Sequence, residues 1–427
     1  MRPAGRWPRR AAGAGKGAEI NSEPRAPTRR YEQRQAAIVA AAVDVLNRKG
    51  VRGMTLGEVA AQLDLVPTGV IYYFRNKEEL AAACLLRGIE TFQGFIAESS
   101  GRPTARQRLG AFIYSYFDFQ RRAALGEGEP LAVFNDVRGL RRAAVDAAYV
   151  DMFRSLRAVL VDPGADEPSR QALNARTHLV LAEILWSRAW LLRREPEDYG
   201  RAAGRLFSVL VDGIAAPGAA WPETTLSAAA LDIHPTVDDS AEQFLRAATE
   251  LINEEGYIGA SVEKISAKLN VTKGAFYHHN QTKDDLVLAC FERTFEVMRR
   301  AIRAAEETSS SGLQALVSLC TVLVDYQLSG RAPLLRTSAL TSAPEALQPE
   351  LLSKFDRISE RFASLISDGI ADGSVRPVDA NIAAQAVTAM INAGSELPHW
   401  APDVTRAEAI DLYVRPFFLG LLPPEEG

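Results

Sequence analysis

Cysteine is scarce in this 427-residue chain: Cys84, Cys290 and Cys320 are the full set, and no two form a Cys-x-x-Cys pair. An odd, widely spaced set argues against a disulfide framework and leaves three small apolar side chains in a reducing compartment. Long hydrophobic runs are missing too. Even the apolar stretch Leu179–Leu192 is broken by Glu183 and Arg188, so no membrane span is expected. The N-terminus carries arginines without an apolar core segment, so no secretory signal is expected and a cytoplasmic, nucleoid-associated location is. There is no run of alternating β-branched residues between turns, no Gly-rich phosphate loop, no metal-ligand spacing and no nucleophile–base pattern. These absences exclude a β fold and point away from an enzyme, a cofactor or a metal.

Hydrophobic content of 47% and charged content of 24% are those of a folded globular protein, and the net charge is only −4. The charge is unevenly placed. Residues 1–30 hold eight Lys or Arg against Glu19 and Glu23. They read as a disordered basic arm, suited to phosphate attraction at one face.

The dominant feature is a repeat. Residues 38–87 and 244–293 align without a gap at a constant offset of 206. Asn47/Asn253, Gly50/Gly256, Leu63/Leu269, Lys77/Lys283, Leu80/Leu286 and Cys84/Cys290 are among the identical pairs. An offset near half the chain length means two complete units. Unit one covers 31–215 and unit two 238–427, joined by a linker at 216–237 with Pro217, Pro222 and Pro235 as breakers.

Both blocks have helical period. Ile38, Ala41, Ala42, Val45 and Leu46 form one apolar stripe, repeated by Phe244, Ala247, Ala248, Leu251 and Ile252. Gly50 and Gly256 follow the last turn, where positive φ ends a helix at least cost. Thr55 and Ser261 are N-caps of a second helix, and Thr55-Leu-Gly-Glu58 reads as a capping box. A turn follows, Asp64-Leu65-Val66 or Asn270-Val271-Thr272. The spacing then predicts a short helix at Pro67–Phe74 or Lys273–Asn280, and a fourth starting after Lys77 or Lys283.

Helix, helix, three-residue turn and short helix make a helix-turn-helix. Thr55–Leu63 through Tyr72–Leu80, and Ser261–Leu269 through Phe276–Leu286, resemble the DNA-binding domain of TetR-type bacterial transcriptional regulators, twice in register. The resemblance implies an all-α fold with two such units, each a DNA-binding head (31–87 and 238–293) followed by a helical effector and dimerisation domain (88–215 and 294–427). It implies that the third helix lies in the major groove of operator DNA, with Pro67, Thr68 and Ile71 of one head, and Thr272, Lys273, Gly274 and Tyr277 of the other, near base edges. Tyr72-Tyr73 and His278-His279 would face the backbone, Lys77 and Lys283 would meet phosphates, and Thr55 and Ser261 at the start of the second helix complete the expected DNA contacts. Lys273 can donate to guanine, whereas Ile71 offers only apolar contact, so two unlike half-sites are expected. Two positions depart from the family: Ile71 and Asn280 stand where aromatics are usual. They keep open the alternative of an interaction or ligand-binding protein in which one or both heads no longer bind DNA.

The resemblance further implies a ligand-responsive regulator of the repressor kind, released by a small and hydrophobic effector. The expected pocket residues are Phe117, Phe153, Trp186, Tyr326 and Met390. Helices at about 171–194 and 197–214 would pair with 378–396 and 405–421 to build an intrachain pseudo-dimer, with a homodimer of tandem chains as a further possibility. His178, Glu183 and Arg188, polar positions on an apolar helix, read as hydrogen-bonded interface residues, with a place in the pocket lining as the alternative.

Overall fold

The computed structural model describes residues 29–134, 137–162, 168–224, 226–227, 231, 240–274, 282–330, 333–336, 339 and 347–423. The basic arm up to residue 28 and the second reading segment 275–281, with Tyr277, His278, His279 and Asn280, lie outside the described residues. Among the described residues the fold is all-α, and the one β feature is an isolated antiparallel bridge between Ala215 and Val375.

Unit one runs α1 Arg29–Gly53, α2 Leu56–Ala61, α3 Pro67–Ile71, α4 Lys77–Ser99, α5 Ala105–Ala124, α6 Val137–Leu140, α7 Ala143–Val159, α8 Arg170–Leu191 and α9 Tyr199–Asp212. Unit two runs α10 Ser240–Gly259, α11 Val262–Lys268, α12 Lys283–Thr308, α13 Gly312–Leu328, α14 Gln348–Asp372, α15 Ala380–Ala393 and α16 Leu397–Trp400. It ends in α17 Arg406–Ala409, a π-turn Ile410–Val414 and α18 Arg415–Leu419.

The local rules that define the repeat hold in both heads. Gly50 and Gly256 take φ of 65° and 72° and break their helices there. The turn before each reading segment needs one left-handed residue, supplied by Asp64 (φ 53°) and Asn270 (φ 54°), the side chains that tolerate it best after glycine. Thr55 accepts from the Glu58 amide in a full capping box, and Ser261 accepts from the Lys264 amide. The reading helix of head one is shorter than the pattern suggests: α3 stops at Ile71, and Tyr72–Phe74 form a turn that buries Phe74.

α4 is long and apolar enough to cross a membrane by length and composition. Its apolar face, Leu80, Leu85, Ile89 and Phe92, is instead buried in the core of unit one. The three cysteines are free and buried, and burial pushes the Cys84 and Cys290 thiols up to about 12.

The units meet through α8 and α9 packed against α15 and the π-turn and α18 segment. The seam is stitched by backbone bonds: Ile214 and Ala215 amides donate to the Phe418 carbonyl, Leu421 to Leu210, and Arg376 to Ile214. Gly213 makes the crossing feasible. Its φ is 67°, and a Cβ there would lie 2.2 Å from the Phe418 oxygen, so any other residue is both strained and blocked. The start of the expected coil linker is therefore held in place. Ala216 donates to Ser374, Trp221 packs edge-on against Phe418 at 5.9 Å, and Arg415 lies over the Trp221 ring.

Candidate nucleic-acid interface and inter-unit cavity

In head one, Val70 and Phe74 bury one face of α3 and its following turn, which forces the other face into solvent. Pro67 occupies the first helical position, where its missing N–H costs nothing. Thr68 is exposed beside it, Ile71 is 46% exposed and Tyr72 is 73% exposed. This exposed row, with the Tyr72 ring touched edge-on by those of Tyr31 and Tyr73, is shaped for a groove.

The expected pair Tyr72-Tyr73 divides its roles. Tyr72 points outward, while Tyr73 is half-buried with its ring 4.7 Å from that of Tyr31 at the start of α1. Arg30, Tyr31, Gln33, Arg34 and Ala37 of α1 and the two tyrosines line a groove beside the reading helix. Arg30 and Arg34 are one helical turn apart, so both guanidinium groups share a face. Sequence reasoning missed these residues because they precede the repeated block. The signal available was the basic Arg29–Arg34 stretch just before the first apolar stripe.

Two other expected DNA contacts are engaged inside the head. The Thr55 hydroxyl serves the α2 cap. Lys77 Nζ donates to the Arg52 carbonyl at 2.7 Å, closing the end of α1. In head two, Val271, Thr272, Lys273 and Gly274 are exposed and Ser261 caps α11. Lys273 pairs with Glu263, whose carboxyl is held at about 2 chiefly by that hydrogen bond. Lys283 is half-buried, and desolvation draws its pKa down.

The electrostatics of the heads diverge. Residues 29–87 contain 9 Lys or Arg and 6 Asp or Glu, whereas the matching 235–293 contain 6 and 10. Thr236, Val237 and Ser240 stand where head one has Arg30, Tyr31 and Arg34. The heads also touch: Arg52 of head one pairs with Glu255 of head two at 3.0 Å, and Lys264 bonds the same carboxylate.

A cavity of about 340 Å³ lies between the units. Unit one contributes Asn47, Val133, Tyr149 and a face of α8 including His178, Leu185, Trp186 and Arg188; unit two contributes Arg336, Ala389, Asn392, Ala393, Glu396 and Trp400. Of the expected pocket residues, Trp186 lines it and donates across the seam to Gln385 at 3.2 Å. Phe153 stacks at 3.8 Å on Trp400, a wall residue. Phe117 packs beside Trp190 in the core of unit one, Tyr326 accepts from Arg293, and Met390 is buried with its carbonyl accepting from Tyr413. These last three lie away from the cavity.

His178 and Glu183 take different parts at the seam. His178 Nε2 is 2.9 Å from the Ala393 carbonyl of the other unit. Glu183 is 1% exposed, its Oε1 has no hydrogen-bond partner, and burial raises its carboxyl well above the usual range.

Residues 38–84 and 244–290 each match the family described as bacterial regulatory proteins, tetR family. The chain is 26% identical over 141 residues to the transposon Tn10 TetC protein of Escherichia coli, covering 33% of this chain and 71% of that one. It is 27% identical over 131 residues to the HTH-type transcriptional repressor DhaR of Mycobacterium sp. (strain GP1), covering 30% and 66%. Among solved structures, a putative fatty acid metabolism regulator of Clostridium perfringens matches with a TM-score of 0.36 and 18% identity over 43% of this chain and all of that one. AibR in complex with isovaleryl coenzyme A and operator DNA matches with a TM-score of 0.35 and 18% identity at the same coverage. The chain therefore carries the DNA-binding module of the tetR family of bacterial regulatory proteins twice, each time on the helix-turn-helix block.

Proposed function

We propose that this chain is a ligand-responsive repressor that grips operator DNA chiefly through head one. The observation that carries this is the surface of head one. An exposed reading face at Pro67, Thr68, Ile71 and Tyr72 adjoins a groove carrying Arg30 and Arg34. Neither arginine has a carboxylate partner among the described residues. Base contacts come from the reading face and phosphate contacts from the arginines, with the basic arm before residue 29 adding attraction. Head two offers Thr272, Lys273, Gly274 and, by the sequence pattern, Tyr277, His278 and His279, on an acidic surface that repels phosphate. It selects sequence at the second half-site and adds little affinity.

The two units of one chain take the place of two subunits. The backbone stitching at Ile214, Ala215, Leu421 and Arg376 supports this reading. An effector bound between them lowers DNA affinity by favouring a head arrangement that DNA does not accept. The acidity of head two favours one further reading: that head two meets a protein instead of DNA. Binding of the full chain to sites selected from random DNA tests both. A site on which Thr68→Ala and Lys273→Ala each relax a different half supports the first. A site insensitive to every substitution in head two supports the second, and no selected site at all sinks the regulator reading.

A further inference from the structure

We infer that the inter-unit cavity is a single effector site for an apolar carboxylate, and that one bound molecule acts on both heads through Asn47 and Asn253. This rests on the regulator reading above for its consequence, though the binding step stands by itself.

The charge balance of the cavity gives the ligand class. Arg336 is paired with Glu396 at 3.1 Å. Arg188 forms no ion pair among the described residues, Asp44 acting on it only at longer range; its one hydrogen bond there is a 3.3 Å contact to the Leu131 carbonyl. A partly buried guanidinium left with a long bond to a neutral oxygen is poorly compensated. Leu181, Leu185, Trp186, Ala389 and Trp400 supply apolar walls, and Leu192, 74% exposed, stands at the rim. An apolar body with one carboxylate fits both features, because the carboxylate takes the guanidinium's fork of donors.

The repeat supplies the coupling. Asn47 lies on α1 of head one. Its Nδ2 donates to the Leu131 carbonyl at 2.9 Å, the same oxygen that Arg188 contacts, and its Oδ1 accepts from the Val133 amide at 2.8 Å. Asn253, 206 residues later on α10, repeats the clamp: Nδ2 to the Leu334 carbonyl and Oδ1 from the Arg336 amide, both at 2.9 Å. Each head is thus tied to a backbone strap of its own unit, and Val133 and Arg336 of those straps line the one cavity. A carboxylate that draws Arg188 off the Leu131 carbonyl changes the partner set of the first strap, and a body pressed against Arg336 acts on the second. The ligand therefore contacts both head clamps, the differential contact that coupling requires.

The test titrates the full chain by calorimetry with naphthalene-2-carboxylate and decanoate, each against its neutral alcohol. One carboxylate per chain is expected. Arg188→Met should weaken the carboxylates about 10- to 100-fold and leave the alcohols unchanged, with Arg188→Lys recovering part of the loss and thermal unfolding confirming that each variant is folded. Asn253→Ala, outside the cavity lining, should still bind the carboxylate while ligand-driven release from DNA is blunted at one half-site; Asn47→Ala, at the cavity wall, is read at saturating carboxylate and should blunt release at the other. Two sites per chain, equal binding by Arg188→Met, or no binding by either carboxylate overturns the proposal. Carboxylate binding by a chain that holds no DNA would refute the regulator reading and leave the site intact.

Discussion

The two heads share a skeleton and differ in their skin. Asn47 and Asn253, Gly50 and Gly256, Asp64 and Asn270, and Cys84 and Cys290 occupy equivalent places and do the same work: clamp, helix break, left-handed turn and core filling. Outside those positions the chemistry separates. Head one presents, beside its reading helix, Arg30 and Arg34, which have no carboxylate partner among the described residues. Head two spends Lys273 of its reading segment on Glu263, whereas its Lys264–Glu255 pair repeats head one's Lys49–Glu58 pair with the charges exchanged, Glu255 also holding Arg52 of head one. Duplication within one chain frees the copies from identity. A homodimer must read two like half-sites, whereas a tandem chain can place affinity on one head and selectivity on the other.

The largest effect that would break this comparison is expected from Arg30→Ala combined with Arg34→Ala. Losing two phosphate contacts should weaken DNA binding about 10- to 100-fold at moderate salt and lower the slope of log affinity against log salt by about two. An unchanged slope would mean that these arginines do not meet the backbone. Next in size is Glu263→Gln, which releases Lys273. Affinity should rise, with the salt slope steepening by about one; equal affinity would show that head two stays off the DNA. Lys77→Ala is expected to act on folding more than on recognition, because Lys77 bonds the Arg52 carbonyl. Stability should fall by about 1 kcal/mol in chemical denaturation, and a change confined to the salt slope would restore Lys77 to a phosphate.

The smallest effect concerns the seam that carries both heads. Glu183 has a raised carboxyl in the folded chain, caused by burial. The folded state keeps a proton that the unfolded chain releases, so stability falls as pH climbs above the ordinary carboxylate value towards the raised one. Glu183→Gln removes that loss. The variant should unfold at a higher temperature than the parent at neutral pH, with the difference shrinking as pH drops towards the ordinary carboxylate range. A gain that is independent of pH would contradict the assignment of the proton.

Much of this was legible in the sequence, and the reasons are local. The caps at Thr55 and Ser261, the breaks at Gly50 and Gly256 and the apolar stripes of α1 and α10 depend on neighbours within a few residues. Helices stand where family likeness led one to expect them, at Arg170–Leu191, Tyr199–Asp212 and Ala380–Ala393. The last segment departs from a plain helix, with a π-turn at Ile410–Val414 ahead of Pro416, a residue that cannot donate to the ladder.

The cavity was harder to see. Apolar and aromatic character singled out Phe117, Tyr326 and Met390, which do not line this cavity, because core and pocket residues share a composition. The walls are set by where α8 of one unit meets α15 of the other, a contact that no local pattern encodes. Arg188 and Asn47 were visible as oddities, a cation on an apolar helix and an identical pair in the repeat. Their joint hold on the Leu131 carbonyl emerges only in three dimensions.

The division of labour between the heads is tested most directly by hydroxyl-radical footprinting of the full chain on a DNA site selected from random sequence. Strong protection over one half-site, abolished by Arg30→Ala with Arg34→Ala, beside weak protection over an unlike second half-site about one helical turn away, is the expected result. Two like half-sites protected with equal strength, and weakened equally by substitutions in either head, would contradict it.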